Sequence, residues 1–260
     1  MRGKPRDYPA GLETPRHNHP TAQLLCAVEG LMLVSAERGQ WVVPPTRAIW
    51  LPIGAWHQVK MVSDVRMRSI YVREDKLQGL PEACCVLEVT PLLRELVVAA
   101  MAVAVPCAAG SRDEKVMDLL LEEIARAKVL PLSLPQPSSA ALRQLCDGWL
   151  AQPDDARGAA EWARELALDP RTLQRRFRRE TGLSFGQWRR QARLMLALQR
   201  LACGDSVLKV ALDLGYASPS AFATMFKREL GAPPSSFLAV SGASPRRGDA
   251  PVGVRFADEI

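Results

Sequence analysis

The residues best suited to chemistry are three histidines, the only ones among 260 residues. His17 and His19 stand one residue apart in His17-Asn18-His19, Gln23 follows four residues on, and His57 ends the stretch Pro52-Ile53-Gly54-Ala55-Trp56-His57. On an extended strand, positions 17 and 19 project from the same side, so their imidazoles can meet one ligand. Neutral imidazoles suit zinc, iron, nickel or copper. Three readings stand. His17, His19, Gln23 and His57 could hold a divalent transition metal. The same side chains could hydrogen-bond an organic effector without metal, or they could merely pack or lie at the surface. Trp50 and Trp56 flank the second histidine stretch and are candidates either for the wall of an effector pocket or for the core.

A second chemistry is written in charge. From Arg171 to Arg200 there are nine arginines against one acid, Glu180. Residues 138–260 hold 18 basic and 13 acidic side chains, whereas residues 1–137 hold 16 and 15. The excess positive charge therefore sits in the second half, as phosphate binding requires.

The same stretch contains a repeat. Ala163-Arg-Glu-Leu166, followed by Asp169-Pro170 and a helix-spaced run to Gly182, returns as Ala211-Leu-Asp-Leu214, followed by Ser218-Pro219 and a run to Gly231. The offset is 48 at Ala163/Ala211 and 49 from Pro170/Pro219 onward, so one residue is inserted at the turn. Asp169 and Ser218 supply N-caps before a proline at the first helical position, and each glycine supplies a helix stop. Each copy is predicted to be a short helix, a tight turn and a second helix, the unit that lays its second helix in a major groove. Between the copies, Ser184 to Cys203 carries a helical apolar stripe (Phe185, Trp188, Ala192, Met195, Leu198, Ala202). Some twenty residues span roughly 30 Å, close to the roughly 34 Å between successive major-groove faces.

These residues resemble the AraC/XylS transcriptional regulators. The resemblance rests on Trp162-Ala163, Leu173-Gln-Arg-Arg-Phe177, Glu180-Thr-Gly182, Gly204-Asp-Ser-Val207, Ala211-Leu-Asp-Leu-Gly-Tyr216, Ser218-Pro-Ser-Ala-Phe222 and Phe226-Lys-Arg228, and covers roughly 140 to 238. It implies that Arg171, Gln174 and Arg175 of the first recognition helix, and Ser220 and Thr224 of the second, face bases. Arg178, Arg179, Lys227 and Arg228 would then meet phosphates, and Thr172 joins the DNA-binding set. The N-terminal histidines are similar in spacing to the two cupin motifs, HxHx(3)(E/Q) and PxGxxH, whose side chains converge inside a barrel. Gln23 departs from the glutamate usual in metal-dependent cupins and so removes an anionic ligand. An enzyme would need a carboxylate or base there, so a regulator is the expected class.

The elements that must position these residues read as follows. Residues 23 to 72 alternate short β-rich runs with turn signals about every ten residues, which indicates an antiparallel sandwich or barrel with room for a small ligand. Pro91 to Val105 and Asp113 to Val129 carry helical apolar stripes. They either pack on the barrel or, as the resemblance implies, supply a dimer seam, for which 113–129 is the better candidate. The expected fold is α+β in two domains. Residues 1–80 form a cupin-like antiparallel β-barrel sensor, 81–130 a helical and dimerisation region, and 131–137 an extended, proline-stiffened interdomain linker. Residues 138–240 form an all-α domain with two helix-turn-helix units joined by a long helix, and 241–260 a disordered tail.

With 48% apolar and 24% charged residues, the chain has an ordinary globular composition. It shows no membrane span or signal peptide, and its six cysteines form no metal-finger pattern, so the expected location is the cytoplasm with reduced thiols. The expected partners are double-stranded DNA, a small-molecule effector, a second copy of the chain in a homodimer, and RNA polymerase.

Overall fold

The computed structural model describes residues 1–36, 39–45, 47–130 and 132–235. The tail expected over 241–260, and residues 236–240 of the expected DNA-binding segment, lie outside the described residues.

The N-terminal part builds two antiparallel sheets. The strands are β1 (Arg2–Tyr8), β2 (Ala22–Glu29), β3 (Met32–Ala36), β4 (Gly39–Val43), β5 (Arg47–Leu51), β6 (His57–Met61), β7 (Val65–Val72), β8 (Cys85–Glu88), β9 (Val129–Leu130) and β10 (Ser133–Pro135). One sheet runs β1-β7-β2-β5-β8-β9 and the other β10-β4-β3-β6. Beyond β6, the segment carrying Glu13 and His17 pairs with Lys60 and His57 through isolated bridges.

The first sheet is covered on both faces, which is why β2 and β5 are buried at nearly every position. Side-chain alternation sorts their residues. Ala22, Leu24, Cys26, Ala48, Trp50, Ile70 and Val72 point to a layer made by α1 (Pro91–Ala99) and α2 (Arg112–Arg126). Leu25, Ala27, Ile49, Leu51 and Met67 point the other way, into the space between the sheets. The apolar face of α2 that the sequence offered as a dimer seam is largely spent inside the chain, because Met117, Leu120 and Ile124 pack with Leu93, Leu96 and Val97 of α1. Leu119 and Leu92 remain exposed.

Several segments differ from their sequence reading: the helix expected from Pro91 to Val105 ends as α1 at Ala99, the one expected to Val129 ends as α2 at Arg126, and the first sheet runs past residue 80 because β8 and β9 lie within the stretch expected to be helical. The polar lead-in is strand β1, paired with β7 from Arg2↔Tyr71 to Tyr8↔Val65. Gly3 allows the strand to press on the following layer, since a Cβ there would lie 2.4 Å from the Ala100 carbonyl oxygen. The proline-rich segment is extended, as expected, but is zipped down. β9 pairs with β8 and β10 pairs with β4, burying Leu132 and Leu134.

The C-terminal part is helical: α3 (Ala140–Ala151), α4 (Ala159–Glu165), α5 (Pro170–Thr181), α6 (Phe185–Ala202), α7 (Val207–Asp213) and α8 (Pro219–Leu230). The caps are where the sequence puts them. Asp169 Oδ1 accepts from the Thr172 N–H at 2.9 Å, Ser218 Oγ from that of Ala221 at 3.2 Å, and Gly182 and Gly231 close α5 and α8 at φ 74° and 78°. Ser184 and Gln187 form a capping box that starts α6.

The two parts share one apolar cluster, in which Trp41 and Leu134 of the second sheet join Leu142, Trp149, Phe177, Trp188 and Phe226 of the helices. The Trp188 Nε1–H donates to the Pro135 carbonyl at 2.9 Å. All six cysteines are free thiols, and burial pushes Cys26 and Cys146 up to about 12. Among the described residues no helix is long and apolar enough to cross a membrane.

Candidate functional site

His17, His19 and His57 come together. Their ring centroids are 4.9, 4.3 and 5.4 Å apart, and one ligand nitrogen from each falls within 4.8 Å of the others. The bridge between the His17 segment and β6 places His17 against His57, with backbone hydrogen bonds of 2.9 and 2.8 Å in the two directions.

Two rings are fixed by carbonyls. Nδ1 of His17 lies 2.8 Å from the Pro15 oxygen, and Nδ1 of His57 lies 2.8 Å from that of Ala55. A carbonyl only accepts, so each Nδ1 carries a proton, and in the neutral ring that leaves the Nε2 lone pair for a ligand, the tautomer that metal-bound histidines show. Nε2 of His57, Nε2 of His19 and Oε1 of Gln23 are all buried without a partner, while the Gln23 amide N–H donates to Ser69 Oγ at 3.4 Å. Burial, with the His17 and Lys4 charges adding to it, lowers His19 to about 4. Burial also takes His57 to about 4, against the raising effect of its Ala55 hydrogen bond. Both imidazoles are therefore neutral near pH 7. A buried donor set of neutral nitrogens with one amide oxygen fits a borderline transition metal, and it fits a polar organic ligand equally well.

The cluster opens on a cavity of about 600 Å³, ample for a small molecule. Its apolar floor is Leu25, Val59 and Met67, and its far wall is β1, which contributes Arg2, Lys4, Arg6 and Tyr8. Sequence reading missed these β1 residues together with Ser69 and Tyr71. A period-two signal was present in Arg2-Lys4-Arg6-Tyr8, but it lay in a polar stretch.

Two expected wall residues are elsewhere. Trp50 alternates to the opposite face of β5, where it is 1% exposed among the residues of the helical layer and donates to the Pro81 carbonyl at 2.7 Å. Trp56 sits on the turn before β6, 44% exposed, with the Arg16 guanidinium 5.5 Å from its ring centroid. Neither lines the cavity.

In the helical part, Arg171, Gln174, Arg175, Arg178 and Arg179 are exposed along α5, and Thr172 is half-buried beside the Asp169 cap. On α8, Ser220, Thr224, Lys227 and Arg228 are exposed. Thr224 Oγ1 donates back to the Ser220 carbonyl at 2.9 Å, and Arg228 pairs with Glu229 at 3.0 Å.

The run of nine arginines is not one phosphate-binding face. Arg176 pairs with Glu180 at 3.1 Å, and Arg200 bridges Asp205 and Asp213 at 2.7 and 2.6 Å. Arg189 lies over Trp149 and donates to the Asp155 and Arg157 carbonyls, and Arg193 lies between Trp149 and Tyr216. Four of the nine therefore hold the helices together, which leaves Arg171, Arg175, Arg178, Arg179 and Arg190 exposed.

Comparison with known proteins finds two families along the chain. The AraC-like ligand binding domain family matches residues 6–166 and the helix-turn-helix domain family matches residues 162–239. The HTH-type transcriptional regulator NimR of Escherichia coli is 34% identical over 228 residues, 88% of this chain and 83% of that protein. RipA of Corynebacterium glutamicum, also an HTH-type transcriptional regulator, is 35% identical over 103 residues, 40% of this chain and 31% of its own. Among solved structures, ToxT of Vibrio cholerae aligns over 93% of this chain and 99% of its own at 11% identity, with a TM-score of 0.40.

Proposed function

The chain belongs to the AraC family of transcriptional regulators, with a ligand-binding region followed by a helix-turn-helix reader, and from that premise we propose how the two are linked. An effector taken into the cavity between the sheets favours one arrangement of the recognition helices and so changes the population that binds DNA. The observation that carries this is a buried tie between the two parts: Nη2 of Arg47, at the start of β5, donates to the carbonyl of Leu230, the last residue of α8, at 3.2 Å. β5 pairs with β2, where Leu51 lies opposite Gln23 of the cavity.

At the DNA, Arg171, Gln174 and Arg175 of α5 meet base edges, assisted by Thr172, and Ser220 and Thr224 of α8 do so in the next groove. Arg178, Arg179, Lys227 and Arg228 meet phosphates and set the register. α6, at 18 residues and about 1.5 Å each, is about 27 Å long and suits adjacent turns of one duplex.

In the sensor, His17, His19 and His57 would hold a transition metal with Gln23 beside them, and the metal would supply a Lewis-acidic point for an effector to bind. Without metal the same atoms hydrogen-bond the effector. We read the site as one that works by binding rather than catalysis, in keeping with the transcriptional regulators that the chain is similar to. Exposed Leu92 and Leu119 leave apolar surface for a homodimer, which sedimentation of the purified chain tests directly. In a cytoplasmic regulator, contact with RNA polymerase would complete an activating response.

The test begins with a site selected by the purified chain from random DNA. Specific binding should exceed binding to a scrambled site by about 10³ or more at physiological salt, and near-equal binding would end the specific reading. Metal content by elemental mass spectrometry, in the native chain and in His57→Ala, decides between the two sensor chemistries. A compound whose binding is lost in His57→Ala but which leaves the affinity for the selected site unchanged would show that pocket and reader are not linked.

A further inference from the structure

α6 joins the two helix-turn-helix units, but it meets each through a short turn, at Gly182 (φ 74°) and Gly204 (φ 89°), so the helix alone would leave a joint at either end. A second connection crosses between the units. Residues 152–157, between α3 and α4, are tied to the first unit by Arg157, which pairs with Glu165 of α4 at 3.0 Å and with Asp155 at 2.8 Å. The same loop reaches the turn of the second unit, where a Cβ on Gly215 would stand 3.2 Å from Asp154 Cα. Two arginines of α6 fasten it there. Arg189 donates to the Arg157 carbonyl at 2.6 Å and to that of Asp155, with its guanidinium 5.1 Å from the Trp149 ring centroid. Arg193, one helical turn on, donates to the Pro153 carbonyl at 3.4 Å and lies 5.4 Å from the ring centroid of Trp149 and 5.6 Å from that of Tyr216. Tyr216 in turn packs on Phe222, and Phe222 on Phe226, with centroids 5.4 and 5.6 Å apart.

A loop outside any helix or sheet leaves carbonyls to be satisfied, and arginine meets them with a planar fork of donors while its faces stack on rings. We propose that Arg189, Arg193 and Tyr216 clamp the two units into one body of fixed separation, and are thereby the positioning residues through which the protein reads the number of base pairs between its two half-sites. One inserted base pair moves the second groove by about 3.4 Å and turns it by about 35°. A jointed pair of units could follow that displacement. A clamped pair instead loses the contacts of one recognition helix. Arg189 and Arg193 act from within, half-buried against the loop, without touching DNA themselves. This assignment rests on the reading that α5 and α8 enter successive grooves of one duplex.

The experiment takes the site that the full chain selects from random DNA and prepares it with its own spacing, with one base pair inserted between the two halves, and with one deleted. Affinities are read by fluorescence anisotropy. The full chain should bind the altered spacings about thirtyfold or more weakly than its own. Arg193→Met, which keeps the reach of the side chain but not its fork, should reduce that ratio to about threefold or less. Arg176→Met, which breaks the pair with Glu180 within α5, should leave the ratio as it was. A loss of affinity in Arg193→Met by the same factor at all three spacings marks a residue that merely stabilises the fold, and overturns the proposal. So does an unaltered chain that tolerates either changed spacing. Should Arg193→Met fail to fold, Tyr216→Leu, which keeps an apolar side chain against Phe222 and removes the ring, decides by the same ratio. A selected site with only one fixed block would sink the two-groove reading and the proposal with it. Two fixed blocks with a ratio unmoved by Arg193→Met would keep that reading and sink the clamp alone.

Discussion

The two helix-turn-helix units share a frame and differ in what they show to solvent. Leu173 and Phe177 of α5 are buried where Phe222 and Phe226 of α8 are buried, both helices begin on a capped proline, and both end on a left-handed glycine. The outward positions, at the same offset of 49, part ways by role. Arg178 and Arg179 return as Lys227 and Arg228, so the positions proposed for phosphates keep their charge. Arg171, Gln174 and Arg175 return as Ser220, Ala223 and Thr224, so the positions proposed for bases lose their long donors. A duplicated fold needs its caps and core twice. It needs a long reading side chain only where a base pair must be distinguished.

The largest expected effect tests the shared frame. Phe177→Ala and Phe226→Ala should each cost about 3–5 kcal/mol of stability in urea unfolding, since both rings are fully buried. A loss in one unit less than half that in the other would show the frames are not equivalent.

Next comes the difference in reading. Arg175→Ala should cost about 1–3 kcal/mol on the selected site and relax one base pair. Its counterpart Thr224→Ala should cost less than about 0.5 kcal/mol, because that hydroxyl is already bonded to Ser220. Equal losses from Arg175→Ala on selected and random DNA would reduce Arg175 to a phosphate contact.

The turns make a smaller test. Ala167 holds φ 53° where the second unit has Gly215 at φ 74°. The neighbouring hydrogen bonds match, Leu168 N–H to Ala163 at 2.8 Å and Tyr216 N–H to Ala211 at 3.0 Å. Ala167→Gly should therefore raise stability by about 1 kcal/mol, contrary to the usual penalty for glycine. Gly215→Ala should lower it by at least as much, since its Cβ would also stand 3.2 Å from Asp154 Cα.

The smallest effect shows only in acid. Burial alone would raise Glu180, but the Ser139 N–H at 2.8 Å and Arg176 at 3.1 Å outweigh it and hold the carboxyl at about 2. Its contribution is complete above its ordinary value near 4.5 and is lost as pH falls from there to 2. Glu180→Gln should flatten that part of the stability profile. Glu229, its counterpart, pairs with adjacent Arg228 and has no such tie to α3.

What the sequence told was local. Caps, helix stops and apolar stripes act within a few residues, so α1 to α8 could be read as helices, with the capped starts and glycine stops of α5 and α8 read directly, while the uncapped ends of α1 and α2 fall short of the expected Val105 and Val129. Strands β2 to β7 announced themselves by apolar runs, whereas β1, β8, β9 and β10 are polar or very short and exist only through distant partners. The histidine cluster was legible because its spacing is a pattern. The cations facing it were not, because nothing in Arg2-Lys4-Arg6 says which strand will lie alongside. Arginine type also hid two jobs: Arg189 and Arg193 read like Arg175, yet lie against Trp149 in the helical core.

The shared apolar cluster has a consequence for how the molecule comes apart. With Trp41 and Leu134 of the sheet packed into the same interior as Trp188 and Phe226, neither half can melt while leaving the other's buried surface dry. Heating should give one calorimetric transition rather than two. Whatever tightens the strands, a ligand included, should then raise the temperature at which the recognition helices melt.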